Sequence, residues 1–393
     1  MTAVEAGRRN LRDLLQEIGA LTPDWVAACE AVPRELFLPE TIWPGDGGTA
    51  VSRSGDPEEW LRRAYTNAPL ATQWDDGRHT GTGPGELVTS SSSAPSLVFR
   101  MFAELSVADG MKVMEIGTGT GWCAALLSAR LGEHNVVSVE IDAAVADRAR
   151  KALRAAGWHP RVVVGDGLLG CPESAPYDRV LVTAGVRQVP RAWIEQTRPG
   201  GLIVLPWGTH YTGQNAVARL TVAGDGGASG RFTGAARFMH LRSQRLDWPR
   251  HRDYLPGGGW PPGTRESVTS LTEHDVLTDD SYAAMEFALG LLVPDCVHTH
   301  GRSPRGTQTM WLYGLTDRSW AAAFFNEDDP SRSQVYQGGP RDLWDEIEAA
   351  HRWWAGQGRP EHGEFGLTVT PGGRQEVWLR EPSALLPRTA PTR

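Results

Sequence analysis

The chain has 393 residues, 40% of them apolar and 22% charged, with a formal net charge of −8 at pH 7. That balance suits a soluble protein of two or three domains. It excludes a membrane-spanning helix, because no apolar run approaches the roughly 18 residues required. It also excludes a nucleic-acid-binding footprint, because no basic run stands out.

The N-terminus, MTAVEAGRRNLRDLL, has no apolar signal-peptide region, so the cytoplasm is the expected compartment. Residues 8–31 predict two short amphipathic helices, the second entered through Thr22 as cap and Pro23 at the first helical position. Residues 44–58 and 75–86 are rich in Gly and polar residues and predict exposed loops. From residue 95 the texture changes. A helix (PSLVFRMFAELSV) leads into strands KVMEI, NVVSVEI, RVVVGD, YDRVLVTAGV and GGLIVLPWG, separated by helical segments. Strands alternating with helices at this spacing predict a doubly wound parallel α/β sheet. AVARLTV and RFTGAARFMHL read as a final strand pair, and the Pro/Gly/Trp-rich 246–264 reads as a linker.

Residues 265–393 predict an α+β unit: a helix near 281–292, strands TMWLYGL, SWAAAFF and SQVYQGG, a helix around WDEIEAAHRWWAG, and a hairpin FGLTVTPGGRQEVWL. The expected domains are thus 1–94 (helices and substrate-side segment), 95–245 (α/β core), 246–264 (linker) and 265–393 (substrate recognition). Cys29, Cys123, Cys171 and Cys296 are far apart with no CxxC, which argues against a disulfide framework or zinc site. His298 and His300 have no nearby Cys or clustered acid, so no metal is expected there.

The stretch MEIGTGTGW carries the chemistry. Its glycines, Gly117, Gly119 and Gly121, are spaced GxGxG. A dinucleotide turn is GxGxxG and a phosphate loop needs GK[ST], and neither is present. The spacing suits S-adenosylmethionine, whose amino-acid moiety needs backbone at close range. Thr118 lies within that turn. Glu140, with Asp142 in reserve, ends the next strand and can accept from ribose hydroxyls; Asp166 and Gly167 end the third and can meet the adenine. The fourth strand ends in VTAGV, where Thr183 is the one hydroxyl. A substrate oxygen that is already nucleophilic, such as a carboxylate, fits that neighbourhood, since it needs alignment and desolvation more than a base.

The segments AVPRELFLPE, AYTNAPL, SSSAPS, MEIGTGTGW, GDGLLGCPESAPYDRVLVTAGV and VPRAWIEQTRPGGLIVLPWG, in this order, resemble the protein-L-isoaspartate O-methyltransferase family over roughly residues 10–245. The resemblance implies methyl transfer from S-adenosylmethionine to an aspartyl carboxylate, with S-adenosylhomocysteine as product. It matches Ser93 to the family's active-site serine. It matches Leu87, Val88, Thr89, Ser90, Glu115, Glu140, Ile141, Asp166 and Gly167 to cofactor positions. Ser92 and the loop residues Trp74, Asp75 and Asp76 are expected on the substrate side.

Three departures stand out: a longer approach, TQWDDGRHTGTGPGELVTSSSS; Trp122 after the glycines; and about 150 further residues. They resemble the peptide-maturation methyltransferases that accompany ATP-grasp peptide ligases and form aspartimides in macrocyclic ribosomal peptides (graspetides). The resemblance implies a peptide partner, with an ATP-grasp ligase in the same pathway. General isoaspartate repair, a non-catalytic cofactor-binding peptide scaffold and an NAD dehydrogenase are the competing readings. The C-terminal tryptophans, Trp311, Trp320, Trp344, Trp353 and Trp354, could grip a peptide or fill a core.

Overall fold

Helix α1 (Ala3–Glu17) begins where Thr2 caps it: Glu5 N–H donates to the Thr2 hydroxyl, and Thr2 N–H donates back to the Glu5 carboxylate. The protein is described by a computed structural model covering residues 2–45, 48–257, 259–280, 282–302, 306–326 and 333–387. Helix α2 (Pro23–Ala31) follows, with Pro23 opening it as expected, although Thr22 makes no side-chain cap. Then come β1 (Thr41–Pro44), β2 (Val51–Ser52), α3 (Pro57–Ala64), β3 (Leu70–Trp74) and β4 (Val88–Ser92), whose strands form a small sheet in the order β2-β1-β3-β4.

The core continues as α4 (Pro95–Leu105), β5 (Val113–Ile116), α5 (Trp122–Leu131), β6 (Val136–Glu140), α6 (Ala143–Ala155), β7 (Arg161–Val164), β8 (Tyr177–Val182), α7 (Arg191–Glu195), β9 (Thr197–Trp207), β10 (Asn215–Val222) and β11 (Ala228–Ala236). The last part adds β12 (Arg265–Thr269), α8 (Glu273–Val276), α9 (Ala284–Leu292), β13 (Cys296–Arg302), β14 (Gln308–Gly314), β15 (Trp320–Phe324), β16 (Ser333–Gly338), α10 (Leu343–Gly356), β17 (Phe365–Val369) and β18 (Gln375–Leu379). The expected start of α9 at 281 lies outside the described residues.

The central sheet runs β18-β17-β11-β10-β9-β8-β5-β6-β7. Strands β9, β8, β5, β6 and β7 are mutually parallel; from β10 outward each pairing is antiparallel. Every residue of β5 and β6 is buried, because helices cover both faces of a parallel sheet. One face packs on α4 and α5, with α1 and α2 behind them, where Trp25 stacks on Phe102 at 4.2 Å. The other face packs on α7 and α9 through Trp193, Ile194, Phe287 and Ala288.

Two expectations about organisation are corrected. The hairpin β17–β18 does not belong to a separate C-terminal unit: β17 pairs with β11 and extends the central sheet, with Phe365, Leu367 and Val369 in its core. Residues 246–264 are more than a linker. The described residues of this segment lie across one face of the antiparallel sheet β12-β16-β15-β14-β13, where Tyr254 donates to the Gly314 carbonyl and Trp260 stacks on Trp320 and Tyr336. The opposite face of that sheet packs against α9 and α10 through Met310, Leu312, Ala323 and Trp344. Of the C-terminal tryptophans, Trp320 and Trp344 are therefore core.

Candidate active site

Because β5, β6, β7 and β8 are parallel, their C-terminal ends meet on one edge of the sheet, the edge where open α/β sheets hold ligands. A cleft of about 870 Å³, open to solvent at its mouth, lies there. Its walls bring together Thr89, Ser90, Ser92 and Ser93 from the serine run, Gly117, Thr118 and Gly119 from the glycine turn, Glu140 and Ile141, Asp166 and Gly167, and Thr183.

Gly117 has no room for a side chain. A β-carbon on Gly117 (φ +98°) would come within 2.9 Å of Thr183 Oγ1, and that hydroxyl donates to the Gly117 carbonyl at 2.8 Å. Likewise a β-carbon on Gly167 would lie 2.6 Å from Ile116 Cγ2. Glu140 Oε2 accepts from Gly119 N–H at 2.9 Å and Oε1 from Asp142 N–H at 3.0 Å. A carboxylate can accept about four hydrogen bonds, so capacity remains toward the cleft. Asp166 Oδ1 accepts from Leu168 N–H at 3.0 Å.

The serine run lies in strand β4 up to Ser92, with Ser93 just past its end, and its hydroxyls are already sorted. Thr89 Oγ1 donates to Gln73 Oε1, Thr72 Oγ1 donates to Ser90 Oγ, and Ser92 Oγ accepts from Arg34 Nε at 3.0 Å. Ser92 therefore faces a structural partner. Ser93 is half-buried, lines the cleft, and its hydroxyl makes no hydrogen bond among the described residues. Its carbonyl and that of Ser92 each accept from Arg34 Nη2 at 3.0 Å. The same buried guanidinium donates to the carbonyls of Ala64, Thr66 and Ala68. Burial lowers its pKa to about 9, so it stays cationic at neutral pH.

Several expected residues lie elsewhere. Glu115 is fully buried beneath the glycine turn and is not part of the cleft lining; Ser138 donates to it at 2.6 Å, and Ser138 in turn meets Thr118 Oγ1. Desolvation raises its pKa to about 8. Gly121 starts α5, and a β-carbon there would meet Ala149 and Leu153 at 3.3 Å, so it sets helix packing. Leu87 is exposed, and neither it nor Val88 lines the cleft. Trp74 packs under the loop, its β-carbon against Gly85. Asp75 accepts from Leu87 N–H and Glu86 N–H, which staples the loop shut. Asp76 pairs with Arg245 and Arg242 at 3.1 Å. Asp142 caps α6 and accepts from Arg242 at 2.7 Å; although burial works against it, that bond and its N–H donors hold its pKa near 2.

Sequence reasoning missed Arg34, His240, Arg242 and Arg245. The last three line the cleft from the segment after β11. The two basic residues of HLRSQR were a signal, but only the fold brings that segment back over the glycine turn. Arg242 and Arg245 reach that rim already held by Asp76 and Asp142.

A nine-stranded mixed sheet with this glycine turn and these strand-end acids defines a class I methyltransferase fold. The family model for protein-L-isoaspartate(D-aspartate) O-methyltransferase matches residues 50–246. The chain is 34% identical to the protein-L-isoaspartate O-methyltransferase of Ignicoccus hospitalis, over 51% of this chain and 82% of that one. It is 33% identical to that of Methanopyrus kandleri, over 60% and 90%. A solved protein-L-isoaspartate O-methyltransferase superposes with a TM-score of 0.53 at 23% identity, covering 95% of this chain and 100% of that one, a likeness of fold. This chain belongs to the protein-L-isoaspartate O-methyltransferase family and is an S-adenosylmethionine-dependent carboxyl O-methyltransferase. Among the described residues, no helix is long and apolar enough to cross a membrane.

The cleft fits that cofactor. The bare glycine backbone would receive its amino-acid moiety, Glu140 its ribose hydroxyls, and Asp166 its adenine amino group.

Proposed function

We propose that this enzyme methylates the side-chain carboxylate of an aspartyl residue in a ribosomally made, macrocyclised peptide, and that the ester then collapses to a succinimide. The observation that carries this reading is what lies beyond the family match: an antiparallel sheet, three helices and a hairpin fused to the catalytic sheet. Selecting one Asp in one peptide requires contacts remote from the reacting atoms.

S-adenosylmethionine, when bound, supplies a methyl group activated for transfer to a carboxylate oxygen. The chain's own residues align and desolvate that oxygen. The Ser93 hydroxyl donates to it, Arg34 keeps Ser93 in place from behind, and Arg242 and Arg245, held by Asp76 and Asp142, line the rim beside it. In the ester, the next residue's amide nitrogen attacks the carbonyl, loses its proton, and methanol leaves. The loop 75–86, stapled by Asp75, and the additions beyond 246 select the peptide. An ATP-grasp ligase would make the macrocycle first.

The second reading is isoaspartate repair, favoured by the family match itself. One experiment separates them: incubation with S-adenosylmethionine and, in parallel, the linear precursor, the cyclised precursor and an isoaspartyl peptide, followed by mass spectrometry. Gain of a methyl and then loss of methanol on the cyclised precursor is expected. Methylation of the isoaspartyl peptide alone would replace the first reading with the second.

A further inference from the structure

His240 lines the methyl-transfer cleft, and none of the steps above uses it. It follows β11, and a parallel bridge sets it beside Gly185, just past the end of β8. Gly185 N–H donates to the Met239 carbonyl at 2.7 Å, and Leu241 N–H donates to the Gly185 carbonyl at 3.1 Å, so the backbone on both sides of His240 is pinned. A β-carbon on Gly185 would come within 2.9 Å of His240 Cδ2 and 3.2 Å of Nε2. The Cδ2–Nε2 edge of the ring therefore lies against the strand end, where bare backbone makes room for it.

The two ring nitrogens differ. Nε2 is enclosed and has no partner among the described residues. Nδ1 is the vertex opposite the Cδ2–Nε2 bond, so it points away from Gly185. It makes no hydrogen bond among the described residues and is not enclosed as Nε2 is, which leaves it open on the cleft side. A proton on Nε2 would bury an unpaired N–H, the less tolerated kind of orphan. The neutral ring thus carries its proton on Nδ1, where something in the cleft can accept it. Burial, with the charges of Arg187, His210 and Arg245, pushes the His240 pKa down to about 3, so the ring is neutral at pH 7.

The wall is continuous from His240 to the serine run. Thr183 and Ala184 follow β8 beside it. A β-carbon on Gly117 would touch Thr183, and one on Gly119 would lie 3.4 Å from the Ser91 carbonyl. His240 and Ser93 thus offer two donors along one wall. A carboxylate has two oxygens: one takes the methyl, and the other has to be held. As the new O–C bond forms and the methyl's bond to sulfur breaks, the carboxylate and sulfonium charges cancel and no proton moves. A cationic donor would draw charge from the attacking oxygen, whereas a neutral imidazole N–H aligns the group at less cost to its nucleophilicity. Arg242 and Arg245 are already held by Asp76 and Asp142.

We propose that His240 Nδ1 donates to the carboxylate oxygen that does not take the methyl, while Ser93 holds the one that does. The role rests on carboxyl methylation as such and holds for either substrate considered above.

The test is His240→Ala, His240→Asn and His240→Gln in the full chain, read by steady-state methylation and by calorimetry. The substrates are an isoaspartyl peptide and the cyclised precursor, each also titrated into protein saturated with S-adenosylhomocysteine. His240→Ala is expected to lose about tenfold in kcat/KM and in peptide affinity, the effect of one hydrogen bond to a charged group. Its affinity for S-adenosylhomocysteine should be unchanged. An Asn amide nitrogen reaches the place of Nδ1 and a Gln nitrogen that of Nε2, so Asn should recover more of the loss than Gln. A ring that only packs gives no reason for that order. Full activity in His240→Ala, equal losses in Asn and Gln, or S-adenosylhomocysteine affinity falling in step with peptide affinity would each overturn the inference. If His240→Ala fails to fold, the Asn and Gln pair decides. Methylation of the isoaspartyl peptide alone, with the same order of variants, would sink the macrocyclic substrate and uphold His240. Methylation of the cyclised precursor with no difference among the variants would sink the role of His240 alone.

Discussion

Arg34 Nη2 lies 3.0 Å from the carbonyl oxygen of Ser93, across 59 residues of sequence. The contact ties the turn after α2 to the end of the serine strand and fixes where the Ser93 hydroxyl stands in the cleft. Arg34→Lys is expected to lower the melting temperature and slow single-turnover methylation more than it weakens S-adenosylhomocysteine binding. An ammonium has three donors where the guanidinium has five, so buried carbonyls go unpaired at about 1–3 kcal/mol each. A lysine variant with unchanged melting and rate would show the clamp to be redundant.

Ser92 and Ser93 should separate cleanly. Ser93→Ala is expected to cost about 1–3 kcal/mol in kcat/KM, because its hydroxyl lines the cleft without a partner among the described residues and is the one proposed to meet the substrate, with little change in melting. Ser92→Ala removes an acceptor from Arg34 and should cost about 1 kcal/mol of stability instead. Paired melting curves and steady-state kinetics check both. The reverse pattern would exchange their roles.

Glu140→Ala is expected to weaken S-adenosylhomocysteine binding by about 1–3 kcal/mol. It removes the acceptor proposed for the ribose hydroxyls and also leaves Gly119 N–H without its partner. Calorimetry with S-adenosylhomocysteine and with NAD measures the loss and the preference together. Tighter binding of NAD would contradict the fit of the glycine turn.

Glu115 should make stability fall with rising pH. Its folded pKa is raised to about 8 from an ordinary carboxyl value of 4.5. The folded state therefore holds a proton that the unfolded chain has released. The stability from this group is fully present below the unfolded value and is lost as pH rises from about 4.5 through 8. Glu115→Gln, neutral at every pH and able to accept from Ser138, is expected to flatten that fall and to raise the melting temperature at pH 8. A gain of 1 kcal/mol corresponds to a few degrees. Identical melting profiles for the two proteins between pH 5 and 8 would show that Glu115 does not titrate there.

A chain ending at residue 264 should not give a soluble core. It would strip β17 from β11 and leave that strand as a bare edge. It would also remove Phe365, Leu367 and Val369, each buried at about 1.5–3 kcal/mol, against a typical total of about 5–15 kcal/mol. Expression with size-exclusion chromatography tests this. A monomeric truncated core that binds S-adenosylhomocysteine would restore the boundary that the sequence suggests.

The sequence alone determines the alternation of the core, the glycine turn, and Glu140 and Asp166 at successive strand ends. Those signals are local: a period of two or 3.6 residues, a spacing of glycines, an acid one step past an apolar run. It could not separate Glu115 from Glu140. Both lie at or next to the end of a strand beside the turn, yet one is fully buried beneath it and the other lines the cleft, and packing decides between them. Nor could it find Arg34, Arg242 and Arg245 among the many arginines of the chain. Their partners lie 30 residues away or more, and a cation becomes a clamp or part of a rim only when folding strips its water and chooses its neighbours. The place of β17–β18 was hidden for the same reason: a hairpin is written in its own residues, but the sheet edge it completes belongs to a strand more than a hundred residues earlier.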